Sequence, residues 1–237
     1  MRTRRIAVCD SQEKGARAQG ARRGRHVRRA TELRQNSGEG KFIPVPGKPE
    51  LRQRILDAAY GAFCMRTYAG TQIPLIAELA QAGVGSIYRY FPGKEQLGNA
   101  AYQEAAVDML ARLKRVHSAR HPSVRAEFAR FWQCYADFAS ERPAAFKSMS
   151  QDNAAFLDEG NLALRQEMHV LGTDFIQRGQ EGGRIRPGDP GQLLSLVNGA
   201  FFHWGAYLYP AKINDLPQGQ RETAEGACWG LLGAPTG

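Results

Sequence analysis

The sequence predicts an all-α chain in two parts, three short helices followed by a longer helical bundle. Three observations predict it. From Pro49 onward apolar residues recur every three or four positions in segment after segment; Pro and Gly clusters cut those segments at helix-like lengths; and no stretch alternates apolar with polar as a half-buried strand does. The 237 residues are 43% hydrophobic, enough to fill the core of one large or two modest domains. No run of about 18 apolar residues occurs, and the Arg-rich start carries no apolar segment, so a soluble cytoplasmic protein without a membrane partner is expected. Cys9, Cys64, Cys134 and Cys228 are far apart, which suggests neither a zinc site nor a disulfide framework.

Residues 1–48 form a basic tail with thirteen Lys and Arg against four acidic residues, whereas the rest of the chain holds nineteen of each. The net charge of +9 therefore sits in the tail and does not by itself make the folded part a nucleic-acid binder. With Phe42 its only aromatic residue, the tail cannot offset its ordering entropy, and disorder is expected. Three readings of it stay open: a solvated tail without a role, a flexible arm adding phosphate contacts, or a start placed too far upstream.

A first helix follows from Pro49 and Glu50, with Leu51, Ile55, Ala58, Ala59, Ala62 and Phe63 at helical spacing and a stop near Gly70. Thr71 is expected to cap a second helix, Ile73 to about Ala80, with Ile76 and Leu79 facing inward. A third helix begins at Val84-Gly85 and ends at Pro92-Gly93. Ile87 and Phe91, four apart, give it an inner face, while Ser86, Tyr88, Arg89 and Tyr90 point outward; core aromatics are the alternative for the two tyrosines. Two short helices joined by a tight small-residue turn, the second with a polar outer face, make a helix-turn-helix pattern, and such a face suits a DNA major groove. Lys94 stands just past the stop, where a cation meets a phosphate.

Beyond Lys94 the periodicity predicts a long helix from Glu95 to about His117, then 124–141 with an aromatic face at Phe128, Phe131, Trp132, Tyr135 and Phe138. A short piece at 144–150 and a helix over 161–180, with Leu164, Met168, Leu171 and Phe175 in line, precede a glycine break. The segment 192–209 is apolar nearly all round and must be covered on both sides. A final helix spans about 218–232.

The run Leu51-x-x-x-Ile55-Leu56-x-Ala58-Ala59-x-x-x-Phe63, then Gly70-Thr71, Ile76-Ala77, Ala80, Gly85-Ser86-Ile87-Tyr88-x-Tyr90-Phe91 and Lys94-Glu95-x-Leu97 resembles the DNA-binding domain of the tetracycline-repressor (TetR) family of bacterial regulators. The resemblance implies an N-terminal three-helix helix-turn-helix domain over residues 49–98, followed by a helical-bundle ligand-binding and dimerisation domain over 99–237. It implies double-stranded operator DNA, a second copy of the chain docked through the last two helices, and an unidentified small-molecule effector as partners. The DNA-binding residues it implies are Thr71, Gln72, Gly85, Ser86, Tyr88, Arg89, Tyr90 and Lys94. An effector pocket is expected around Trp132, Tyr135, Met168, Phe175 and Phe202, for which plain core is the other reading. The family usually carries Ala-Gly-Val-Ser in the turn, where this chain has Ala80-Gln81-Ala82-Gly83. A left-handed Gln81 costs about 1 kcal/mol more than glycine, with Gly83 placed to absorb the strain.

No catalytic grouping, cofactor or metal is expected. Gly83-Val84-Gly85 lacks the third glycine and the preceding strand of a phosphate loop, and His117 and His121 lie four apart with Pro122 ending their helix. His203 is read as an interior or interface histidine. The expected function is a repressor that leaves a palindromic operator when its effector binds; the alternative is an activator or nucleoid-type binder without a ligand.

Overall fold

The computed structural model describes residues 49–150 and 156–234, so the expectation of a disordered tail over 1–48 falls outside the described residues. Helix α1, Pro49–Gly70, starts on a proline whose missing N–H is no loss in a first turn, and Glu50 there suits the helix dipole. It buries Ile55, Leu56 and Phe63 beside the small Ala58, Ala59 and Ala62, which let neighbouring helices come close. Its axis breaks at Thr67, where φ is 61°.

Helix α2, Ile73–Leu79, packs on α1 and α3, Val84–Tyr90, packs on α2, with Ile73, Ile76, Ile87 and Phe91 in one buried cluster. Leu79, expected to face inward, lies 44% exposed at the end of α2. Helix α4, Lys94–Ser118, is roughly 37 Å long at 1.5 Å per residue and runs from this three-helix head into the bundle. It carries Leu97, Ala101, Ala105 and Met109 along one buried stripe. Tyr60 on α1 donates its hydroxyl to the Ala101 carbonyl, which pins α1 to α4.

The bundle continues with α5, Val124–Glu141, α6, Pro143–Met149, α7, Glu159–Glu181, α8, Pro190–Leu208, and α9, Gln218–Gly230. Their starts are capped where the sequence supplies a short oxygen side chain: Ser123 accepts from the Ala126 amide, Asp158 from Asn161 and Asp189 from Gln192. Arg142, just before Pro143, bonds Glu104 at 2.7 Å, and Arg112 joins Asp108 and Glu141, tying α4 to the α5–α6 corner. Arg178 on α7 grips the buried Glu127 of α5 with two bonds, at 2.8 and 3.2 Å. Extended pairing among the described residues is confined to one isolated bridge, Ile185 with Gly233, which fastens the stretch just after α9 to the α7–α8 connection. The all-α expectation holds, and element boundaries fall within a few residues of those read from periodicity.

Candidate nucleic-acid interface and ligand cavity

The head is set by two left-handed residues that are not glycine, Thr67 and Gln81. At the first, the break frees carbonyls at the end of α1 that need donors. Thr71 supplies one: its hydroxyl donates to Thr67 O at 2.6 Å and Ala62 O at 3.2 Å, and the residue is completely buried. Thr71 therefore does not cap α2, contrary to expectation; Gln72 is the N-cap and makes no side-chain cap bond. Lys94 supplies the rest. Its ammonium donates to the carbonyls of Tyr68, Ala69 and Thr71 at 3.1, 3.4 and 3.2 Å and lies 4.6 Å above the Tyr68 ring. This side chain, expected to reach a phosphate, closes the α1 terminus in the free protein, as cations do at the negative end of a helix.

At the second, Ala82 N–H bonds Ala77 O and Gln81 N–H bonds Glu78 O, the six-to-one and five-to-two pairs of a Schellman turn. Gln81, with φ 50°, holds the position that favours glycine. Gly83, at φ −72°, is simply the N-cap of α3, so the strain sits on Gln81 and is not absorbed by Gly83.

Helix α3 divides as its spacing requires. Ile87 and Phe91 are buried, and Val84, Gly85, Tyr88 and Arg89 are exposed on one side, related by steps of four. Tyr88 is 49% exposed. Arg89 donates to the Ser86 hydroxyl at 3.0 Å, which holds the guanidinium along the helix. Tyr90, expected outward, is half-buried and packs on the core, its ring 6.4 Å from that of Phe91. A methyl added at Gly85 would meet nothing within 4 Å, so the protein's own packing does not require glycine there. Arg52, read only as an outer residue of α1, stands over the Phe91 ring at 5.5 Å and adds a cation beside the end of α3.

In the bundle, Trp132, Tyr135, Met168, Phe175 and Phe202 all line one cavity of about 730 Å3 among α4, α5, α7 and α8. Edge-to-face pairs build its walls, with Trp132 to Phe201 at 5.7 Å, Phe131 to Phe175 at 5.4 Å and Tyr135 to Phe202 at 5.5 Å. Periodicity did not single out the polar lining residues Tyr102, Arg165, His169, Ser195 and Asn198. Burial pushes the Tyr135 phenol well above its usual value and raises that of Tyr102, the latter against the nearby Arg165 guanidinium.

A second, shallower groove between α8 and α9 is lined by Ala200, Trp204, Leu208, Leu216, Ala224 and Leu231. Leu196 is 59% and Tyr207 81% exposed on α8, and His203 is exposed there too, not interior. His117 faces Asp174 at 3.5 Å, and the His121 ring bonds Val116 O at 2.8 Å, so the two histidines have separate partners. No helix among the described residues is long and apolar enough to cross a membrane.

Residues 55–101 match the family model described as "Bacterial regulatory proteins, tetR family", and residues 102–232 match "Tetracyclin repressor-like, C-terminal domain". The chain is 27% identical over 172 residues to the uncharacterized HTH-type transcriptional regulator YhgD of Bacillus subtilis, covering 65% of this chain and 83% of that one. The ketosteroid transcriptional regulator KstR2 of Mycobacterium tuberculosis shares the fold at a TM-score of 0.64 and 16% identity, over 82% of this chain and all of that one. FadR from B. subtilis, solved with stearoyl-CoA, superposes at 0.59 and 16% identity over 78% and 99% of the two chains. The head and the bundle are thus matched in order along one chain, which belongs to the TetR family of DNA-binding transcriptional regulators with a ligand-binding C-terminal domain.

Proposed function

We propose that the protein is a cytoplasmic repressor that binds a palindromic operator as a homodimer and leaves it when a small molecule occupies the bundle cavity. The observation that carries the DNA-binding half is the split of α3, with Ile87 and Phe91 inside and Gly85, Tyr88 and Arg89 outside on a helix short enough to enter a major groove. Tyr88 and Arg89 read base edges or phosphates; Ser86 orients Arg89; Gly85 lets the backbone approach the duplex. Gln72, exposed at the start of α2, and the rim of Tyr90 make lesser contacts. Thr71 and Lys94 serve the same surface indirectly, by fixing the corner from which α2 and α3 depart.

The apolar outer side of α8 and the α8–α9 groove support docking of a second copy through the last two helices, since such a face is costly to leave in water. The aromatic cavity supports an effector, and FadR, of the same fold, carries a large ligand in its stearoyl-CoA complex. Release then requires the ligand to favour a dimer whose two α3 helices no longer lie about 34–36 Å apart. Nuclease footprinting on genomic fragments selected by the protein tests this reading. The expected footprint is a short inverted repeat with half-sites one turn apart. Uniform protection of every duplex overturns it and favours a nucleoid-type binder.

A further inference from the structure

The cavity has a polar end and an apolar end. Phe138, Trp132, Phe128 and Phe201 are buried around its floor, whereas Arg165, His169 and Ser195 are solvent-exposed on α7 and α8 at its rim. No Asp or Glu is among the described residues that line it. Arg165 makes no hydrogen bond or ion pair with any described residue, and its acidic neighbour on α7, Glu167, is already taken by Lys114 at 2.5 Å. With no carboxylate among the described residues to meet it, this exposed guanidinium at the cavity is open to an anion brought by a ligand.

Two further groups point the same way. Tyr102 lies within reach of the Arg165 charge, and both it and Tyr135 line the cavity. Neither hydroxyl bonds a described residue, which leaves both able to donate to a ligand. Burial disfavours the phenolate of both, so both are neutral donors at neutral pH, where a carboxylic acid is ionised.

We propose that this cavity takes a large apolar organic monoanion, its carboxylate held at the rim by Arg165 and Tyr102 and its hydrocarbon body lying among the aromatic side chains of α5 and α8. A volume of about 730 Å3 suits such a ligand, within the roughly 300–1,000 Å3 of sites for drug-sized molecules. The assignment rests on the effector reading of the cavity and deepens it by naming the ligand's chemistry.

The test uses three probes with one tail and different heads, dodecanoate, dodecan-1-ol and dodecylamine, each below its aggregation concentration. Binding is read by the shift in Tm of the full chain and by intrinsic tryptophan fluorescence, to which Trp132 in the cavity wall contributes. The expected order is dodecanoate first, by about tenfold or more over the alcohol, with the amine weakest, as loss of a charge-assisted bond implies. Arg165→Gln removes the preference for dodecanoate over dodecan-1-ol, and Arg165→Glu turns it toward the amine. Arg165 is exposed on a helix, so circular dichroism is expected to show both variants folded. Equal binding of the three probes, binding of none, or a carboxylate preference that survives Arg165→Gln overturns the proposal. Because these measurements contain no DNA, they separate from the repressor reading: dodecanoate binding that depends on Arg165 but leaves operator affinity unchanged sinks effector release alone.

Discussion

Replacing Lys94 by Met keeps the length of the stem and removes the ammonium that closes the end of α1. The charge bonds three carbonyls at 3.1, 3.2 and 3.4 Å and sits 4.6 Å over the Tyr68 ring in a half-buried site. Charged hydrogen bonds contribute about 1.5–3 kcal/mol net, a cation at a helix C-terminus about 0.3–1, and a partly exposed cation–π contact about 0.5–1. These describe one charge from three sides and do not add; about 2 kcal/mol is the expected loss. At roughly 2–4 °C per kcal/mol for a protein of this size, Tm falls by about 4–8 °C. The same variant tells a lock from a phosphate contact. Each phosphate neutralised contributes about 0.9 to the slope of log K against log salt. A lock leaves that slope unchanged while weakening binding uniformly. A Tm within about 1 °C of the parent's, together with a slope reduced by about one, refutes the structural role.

Gly85→Ala separates folding from recognition. Nothing within 4 Å opposes the methyl, so the helix gains up to about 1 kcal/mol while operator affinity drops; unchanged affinity shows that the duplex does not approach that backbone. Thr67→Gly relieves a β-branched residue at φ 61°, a strain of about 1–3 kcal/mol, against about 0.4–1 kcal/mol for glycine's looser unfolded chain, so a net gain near 1 kcal/mol is expected in urea unfolding. A loss of stability means that the kink is not strained. The Cys64 and Cys134 thiols are both pushed up to about 11 by burial. Folding therefore opposes thiolate formation: this stability is complete below the unfolded thiol's pKa of about 8.5 and is lost as pH climbs toward 11. Residue-resolved iodoacetamide labelling at pH 8.5 is expected to modify both at least tenfold more slowly in the folded protein than in urea; equal rates contradict it.

The split of α3 was legible because Ile87 and Phe91 lie four apart, and a 3.6-residue repeat puts them on one side whatever surrounds the helix. Helix ends were legible where Pro or Gly marked them. The cap role of Thr71 was misread because its acceptors, Thr67 O and Ala62 O, four and nine residues back, are turned toward it by the break at Thr67, which no periodicity signals. The lock made by Lys94 was not legible for a related reason, since its acceptors are gathered by the fold of the corner and not by spacing. Periodicity also fixes which way an aromatic side chain faces but not how closely its neighbours approach, so core and cavity wall read alike for Trp132 and Phe175 until the gap between α5, α7 and α8 is seen. Arg165 stayed hidden on the polar side of α7, where a cation without a partner among the described residues resembles any solvated one.

The most direct measurement compares the affinity of the parent and of Tyr88→Ala and Arg89→Ala for a selected operator duplex and for its scrambled sequence at one salt concentration. Reading by α3 predicts that the parent prefers the operator by about a thousandfold or more. It also predicts that each variant loses about 1–3 kcal/mol of that preference while its affinity for scrambled DNA changes little. A parent that binds both duplexes equally, or variants that keep the full preference, contradicts the assignment of the reading surface to α3.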